Sequence, residues 1–133
     1  MTITNDRILT QDVKDLIETA NIGEDFDFTA KWKFVAREGQ RLIGIIVYDL
    51  FEAQDITYPM IEHIIFHPKF QRTKSTIKFL RKTEELIVNE GYKQLLAYIL
   101  NKKTLMVKLA TKFGYIPYQD AGEGKMYYKN MGE

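Results

Sequence analysis

The spacing of apolar and polar residues predicts a chain in which helices and strands are interspersed. After Thr10, a residue suited to begin a helix, apolar residues recur at helical intervals and predict a first helix over 11–20. Helices are also predicted over 75–89 and from a cap at Thr104. Alternating or short, continuous apolar runs predict strands at 31–37, 41–51, 56–66, 93–100, 115–118 and 125–129.

The strands at 31–37 and 41–51 flank the short turn 38–40 and predict a β-hairpin. Gly44 lies inside the second of these strands, which indicates a β-bulge or a close backbone neighbour.

The run 56–66 is apolar on both faces, which predicts a strand covered by helices on both sides of the sheet. Because a strand, a helix and a strand then follow one another, we expect the strands 56–66 and 93–100 to be parallel. The fold class is therefore α/β, with a mixed, mostly antiparallel sheet of about six strands and helices on both faces. No repeat or linker divides the chain, so a single domain over 1–133 is predicted.

Composition excludes several kinds of site. The chain has 19 Lys and Arg residues against 18 Asp and Glu residues, so its overall charge does not favour nucleic acid as a partner. It has no cysteine, which excludes disulfides and zinc–thiolate sites. No apolar run is long enough for a signal peptide or a membrane span, and we expect a soluble, cytoplasmic protein.

The turn at 71–76 lies between the strand 56–66 and the helix predicted at 75–89. Backbone N–H groups and the positive end of a helix dipole meet at such a junction, and both attract phosphate. Arg72 and Lys74 add positive charge. The alternative is a solvated basic turn in which Thr73 or Ser75 is an ordinary helix cap.

Three local patterns resemble those of the GNAT N-acetyltransferases, and the resemblance extends from about Thr10 to Lys129. The segment Phe66-His-Pro-Lys-Phe-Gln71 is similar to the one that leads into the family's acetyl-CoA pyrophosphate loop. Asn101 and the helix end Lys112-Phe-Gly-Tyr115 form the second pattern, and the terminal Met-Tyr-Tyr-Lys129 forms the third. Lys74 and Thr76 stand where the family loop has glycines, and Ala110 stands where it often has a tyrosine acid.

The resemblance implies an N-acetyltransferase that uses acetyl-CoA as co-substrate and an unidentified amine as acceptor. It implies a homodimer as one assembly state. The residues that it assigns to acetyl-CoA are Ile64, Phe66, Gln71, Arg72, Thr73, Lys74, Ser75, Thr76 and Asn101. The acidic, aromatic stretch 24–28 falls where the family binds its acceptor, and a solvated acidic loop is the alternative.

Glu62 is the candidate base, because a carboxylate on an otherwise apolar strand needs a partner or a shifted pKa. The alternative is a structural ion pair with Arg41 or Lys33. Tyr115 is the candidate acid, because Ala110 stands where the family often has an acidic tyrosine.

The two histidines are weaker candidates for a catalytic role. His67 is a second candidate base, although a loop residue is the simpler interpretation. His63 points away from the Glu62 side of the strand and is interpreted as a core residue. Their spacing does not suggest a metal site.

Two alternatives belong to other functional classes. The first is a GNAT-fold binding protein without transferase activity, which Lys74 and Ala110 favour. The second is a nucleic-acid-binding domain, which the near-neutral charge disfavours. It would use the cations Lys69, Arg72, Lys74, Lys78, Arg81 and Lys82.

Overall fold

The computed structural model describes residues 1–20, 28–71 and 73–131. Its strands are β1 (Thr2–Asp6), β2 (Trp32–Glu38), β3 (Arg41–Ala53), β4 (Ile56–Phe66), β5 (Gln94–Leu100), β6 (Ile116–Ala121) and β7 (Gly124–Asn130). Its α-helices are α1 (Gln11–Ala20), α2 (Lys74–Asn89) and α3 (Thr104–Lys112), and a short 3-10 helix spans Pro68–Phe70.

The strands form one mixed sheet in the order β1-β2-β3-β4-β5-β7-β6. Strand β4 is parallel to β5, with Met60 opposite Leu96, whereas the pairs β1–β2, β2–β3, β5–β7 and β6–β7 are antiparallel. The predicted fold class and the parallel pair are therefore confirmed. The described sheet has seven strands rather than about six, because β1 was not predicted.

The chain forms two compact units. The first comprises Met1–Tyr48 and His63–Leu86, and the second comprises Asp49–Glu62 and Ile87–Glu133.

The core of the first unit lies between α1 and one face of the β2–β3 hairpin. Val13 and Leu16 of α1 belong to one buried cluster with Val35 of β2 and Ile45 of β3. The predicted helical spacing of α1 therefore has a packing role. Phe34, next to Val35, points to the opposite face of β2 and is also buried, so both faces of this strand are covered.

An ion pair joins α1 to β2 at the surface. Arg37 Nη2 lies 3.0 Å from Asp12 Oδ1. Partial burial raises the pKa of Asp12, but hydrogen bonds from Arg37 and Thr10 and the Arg37 charge outweigh burial, so this pKa lies below its usual value. The pair is therefore ionised at neutral pH. Both side chains are partly exposed, so we expect it to contribute less than about 1 kcal/mol to stability.

Lys33 is fully buried, although it lies on a strand that alternation alone would place half in water. Its ammonium donates to the carbonyl oxygen of Lys31 at 2.7 Å and to that of Arg7 at 3.2 Å. These bonds compensate the ammonium group for lost hydration and link the segment after β1 to the start of β2.

The second unit contains the antiparallel strands β5, β7 and β6. Gly124 at the start of β7 lies against β5, and a Cβ added there would be 2.6 Å from the Ile99 carbonyl oxygen. Helix α3 begins after Lys103, whose side chain makes no capping hydrogen bond, so the predicted cap at Thr104 was wrong by one residue.

Strand β6 lies at one edge of the sheet, and five of its six residues are exposed. Two features limit its pairing with another chain. Pro117 lacks a backbone N–H group, and the register with β7 shifts between Pro117 and Gln119.

No helix in the described part of the chain combines the length and apolar character needed to cross a membrane.

Thr83 of α2 gives a test of packing in the first unit. Its hydroxyl oxygen is buried and has no hydrogen-bond partner among the described residues. Because valine has the same shape without the hydroxyl, we expect Thr83→Val to raise the free energy of unfolding by about 1 kcal/mol. Urea denaturation at a constant m-value measures this change.

Thr76→Val is the matched control on the same helix. Thr76 is equally buried, but its hydroxyl donates to the Thr73 carbonyl oxygen at 2.8 Å, so its loss should lower stability by about 1 kcal/mol. Equal destabilisation by both variants would contradict the assignment at Thr83.

Candidate functional site

The turn after β4 is held by backbone hydrogen bonds within the first unit. The His67 N–H donates to the Ile43 carbonyl oxygen at 2.7 Å, and the Phe70 N–H donates to the His67 carbonyl oxygen at 2.8 Å. His67 Nδ1 accepts from the Lys69 N–H at 3.2 Å. His67 therefore acts as the cap of the 3-10 helix, which supports its interpretation as a loop residue over that of a base.

The start of α2 is organised by two threonine hydroxyls. Thr73 Oγ1 donates to the Phe70 carbonyl oxygen at 2.6 Å, and Thr76 Oγ1 donates to the Thr73 carbonyl oxygen. Both hydroxyls are thus directed into the turn, and Thr76 is only 3% exposed. The side chain that replaces the second loop glycine is buried and occupies little of the outer surface of the helix end.

The other predicted residues of this turn are accessible to a ligand. Gln71 and Lys74 are exposed, and Ser75 is half-buried. Lys74 is the first residue of α2, where its charge adds to the positive end of the helix dipole. Arg72 lies outside the described residues.

The end of β4 lies unusually close to β3. A Cβ on Gly44 would be 2.6 Å from the Ile65 carbonyl oxygen and 3.2 Å from the Phe66 Cα. The register of β2 and β3 also shifts beside this glycine, because Ala36 pairs with Gly44 and Arg37 with Leu42. Gly44 therefore combines a bulge and a close backbone neighbour. Ile64 and Phe66, which flank the contact, are half-buried.

Glu62, Asn101 and Tyr115 belong to the second unit, whereas the turn and the end of β4 belong to the first. Glu62 is half-buried, and its Oε1 atom is buried. Asn101 is exposed, and its N–H donates to the Glu123 carbonyl oxygen at 2.9 Å, which leaves its side-chain amide outside that bond.

Tyr115 follows α3, and its N–H donates to the Ala110 carbonyl oxygen at 2.9 Å. Its half-buried ring lies under the Lys129 ammonium, which is 5.5 Å from the ring centroid and 5.8 Å from that of Phe113.

Other tyrosines of the second unit lie in different surroundings. The Tyr98 hydroxyl donates to the Ala121 carbonyl oxygen at 2.8 Å, and Tyr127 is only 3% exposed. Tyr118 is exposed and packs edge-on against Tyr128.

In the first unit, His63 is half-buried rather than fully buried, with its ring 5.7 Å from that of Phe28. Phe28 is buried, and the rest of the acidic stretch 24–28 lies outside the described residues.

A groove along the solvent face of α2 was not predicted as a feature of the structure. It is shallow and open to solvent, with a volume of about 410 Å³, and its described lining consists of Lys74, Ile77, Lys78, Arg81, Lys82 and Glu85. The sequence signal was present, since residues 69–82 contain six cations and no acidic residue. Among the described residues no cluster of His, Asp and Glu is arranged to hold a metal ion.

No protein-family model matches the sequence, and no curated protein matches it. Solved structures match over nearly the whole chain. A GNAT family acetyltransferase from Elizabethkingia anophelis with acetyl-CoA bound is 21% identical, with a TM-score of 0.69, and the match covers 99% of this chain and 97% of that one.

Two further matches are similar in extent. The PaiA N-acetyltransferase from Thermoplasma acidophilum in complex with coenzyme A is 14% identical, with a TM-score of 0.68 and coverage of 98% and 99%. A GNAT family acetyltransferase from Listeria monocytogenes is 15% identical, with a TM-score of 0.70 and coverage of 97% and 95%. At these identities the comparisons show a shared fold.

The contact at Gly44 predicts a large effect of a small substitution. In Gly44→Ala, the new methyl group would overlap a backbone carbonyl, which cannot rotate away, so we expect a loss of about 3 kcal/mol in the free energy of unfolding. Chemical denaturation measures it.

Gly39→Ala serves as the control. Gly39 has a φ of +59° and no atom within 4 Å of an added Cβ, so only the conformational cost of about 1 kcal/mol is expected. A Gly44→Ala effect no larger than that of Gly39→Ala would show that the two strands separate easily.

Proposed function

Because the chain has the fold of the GNAT N-acetyltransferases, we propose that it is an acyl-CoA-dependent N-acyltransferase. It moves an acetyl group from acetyl-CoA to an amine. The observation that carries the proposal is the match of the fold over nearly the entire chain, together with a strand–turn–helix junction at 67–76 that exposes a cation at a helix start. We propose the cytoplasm, where acetyl-CoA is available, as its compartment.

The turn is the proposed binding site, or seat, of the pyrophosphate of acetyl-CoA, the acyl donor. The first N–H groups of α2 lack partners within the helix and attract an anion, and Lys74 adds a mobile charge at the same end. We assign Gln71, Arg72, Thr73, Ser75 and Thr76 to the same seat. The inward hydroxyl of Thr76 supports this assignment, because it explains how a residue other than glycine fits there.

The pantetheine arm would bind beside β4, through the Ile64 carbonyl oxygen and the Phe66 N–H, with Asn101 as a further hydrogen-bonding residue. Main-chain groups bind an amide-containing arm as they bind an added strand. The tight contact of Gly44 with Ile65 supports this role, because it holds the intervening carbonyl group rigidly.

The reaction that we propose is direct transfer. Glu62 removes a proton from the ammonium or amine of the acceptor, directly or through water, and the nitrogen attacks the thioester carbonyl carbon. The Phe66 N–H polarises the carbonyl oxygen. As the C–S bond breaks, Tyr115 or water protonates the leaving thiolate, so the products are an amide and CoA. Holding the two substrates together contributes much of the rate, since no covalent intermediate is needed.

Isothermal titration calorimetry with acetyl-CoA tests the donor seat. We expect Lys74→Glu to weaken binding by at least about tenfold, because it places a like charge beside the phosphates at the helix end. Lys93→Glu, at an exposed position in the second unit, is the control with the same change in charge and should bind like the wild type. Unchanged affinity in Lys74→Glu would show that the turn is not the seat.

Glu62→Gln tests the base. We expect kcat to fall by about 10² to 10⁴, the usual contribution of general base catalysis, with the Kd for acetyl-CoA unchanged. The assay follows release of the CoA thiol with a panel of amines and peptides. Glu90→Gln, at an exposed position after α2, is the control. Full activity of Glu62→Gln would exclude Glu62 as the base.

The alternative function is CoA binding without turnover. Ala110 favours it, because its methyl group, only 8% exposed, has no proton to transfer at the position of the family's usual acid. The same two experiments distinguish the functions. Binding of acetyl-CoA without thiol release for any acceptor would support the alternative, and release that is lost in Tyr115→Phe would support Tyr115 as the acid.

A further inference from the structure

Opposite charges are concentrated in two adjacent segments of the sequence. Residues 42–68 contain Asp49, Glu52, Asp55 and Glu62 but no Lys or Arg, whereas residues 69–82 contain six cations and no acid. The net charge of the whole chain is only +1. The imbalance is therefore local and falls on two stretches of the chain.

The acidic surface is the tip of the β3–β4 hairpin, residues 49–58, in the second unit. It exposes three large apolar side chains, with Leu50 45% exposed, Phe51 48% exposed and Ile56 53% exposed. Exposed apolar residues are ordinary when scattered, but three within seven positions concentrate apolar surface at one hairpin tip. Neighbouring residues of a strand point to opposite faces, so Leu50 and Phe51 make the tip apolar on both sides.

The tip is also narrow. Only Gln54 and Asp55 separate the strands, with φ values of 54° and 65°, which is the two-residue turn typical of tight hairpins. A narrow element that is apolar on both faces is suited to insertion into a groove rather than to covering a flat surface. Glu52 and Asp55 are exposed beside the apolar residues, so the element is negatively charged.

The basic surface is the α2 groove in the first unit, lined by the six residues named above. The lysines Lys74, Lys78 and Lys82 recur every four residues along one face and span roughly 12 Å of helix axis. Ile77, which is half-buried, provides an apolar part of the lining. The groove thus presents one apolar side chain, Ile77, among four cations and Glu85. Its net charge is opposite to that of the tip, and Ile77 offers the tip an apolar contact.

We propose that the hairpin tip of one copy of this protein binds in the α2 groove of a second copy. Both members of a complementary pair are present on the same chain, so a second copy of the chain can supply either one. The near-zero net charge means that long-range repulsion does not oppose the approach of a second copy.

The contact is small and partly ionic, and this determines its strength. A hairpin tip in a single groove covers less than the roughly 800 Å² per partner of a standard interface, so association is weak and dependent on concentration. Exposed charges are screened over about 8 Å at physiological ionic strength, so added salt should dissociate the complex.

Sedimentation velocity of the wild-type chain is the first test. We expect a reversible shift from monomer to dimer or larger species as concentration rises, and its loss in about 0.5 M NaCl. A monomer at every concentration in low salt would overturn the proposal, as would association that salt strengthens. No acyl donor is added, so the result is independent of the proposed function.

Charge reversal identifies the surfaces. The tip variant is Glu52→Lys with Asp55→Lys, and the groove variant is Lys78→Glu with Lys82→Glu; all four positions are exposed. Each variant alone should be monomeric, because its tip and groove then carry the same sign. An equimolar mixture should associate again. The reversed tip of one variant then meets the reversed groove of the other, and their charges are opposite.

Glu18→Lys with Glu90→Lys is the control, since it changes the net charge as the tip variant does at exposed positions elsewhere. It should associate like the wild type. Association of either reversed variant alone at wild-type strength, or failure of the mixture to associate, would overturn the proposed contact.

Discussion

The approach of Gly44 to the Ile65 carbonyl is the constraint on which the first unit depends most. It brings the end of β4 against β3 more closely than any residue with a side chain permits. The hydrogen bond from the His67 N–H to the Ile43 carbonyl continues the contact into the turn, and the threonine hydroxyls then carry the chain into α2. The position of the proposed phosphate seat thus follows from the backbone contact at Gly44 together with the hydroxyl bonds of Thr73 and Thr76.

Much of the fold could be predicted because its strongest signals are local. The β2–β3 hairpin has alternating and apolar runs around a short turn, and the parallel pair follows from a strand–helix–strand order. Strand β1 was missed because Thr2–Asp6 contains one large apolar residue and pairs with a single neighbour at the sheet edge. Lys33 was not recognised as buried because its compensating carbonyl groups come from loops outside its own strand.

The candidate site could be predicted only in part, because only some of its features are local in the sequence. The turn is a continuous segment, so its residues could be named together from the sequence. The direction of the Thr76 hydroxyl depends on the conformation of the turn, which residue types alone do not define. The α2 groove was visible as a run of cations, but its apolar lining emerges only when Ile77 is placed on the same helix face.

Gly124 has a consequence for how distant relatives could be recognised. Like Gly44, it lies where an added Cβ would meet a backbone oxygen at 2.6 Å, whereas the turn at 71–76 contains no glycine. The sequence signature of this strand packing therefore differs from a glycine-rich loop motif. Chains whose strands pack in the same way should carry glycine at these two strand positions, whatever their turn binds.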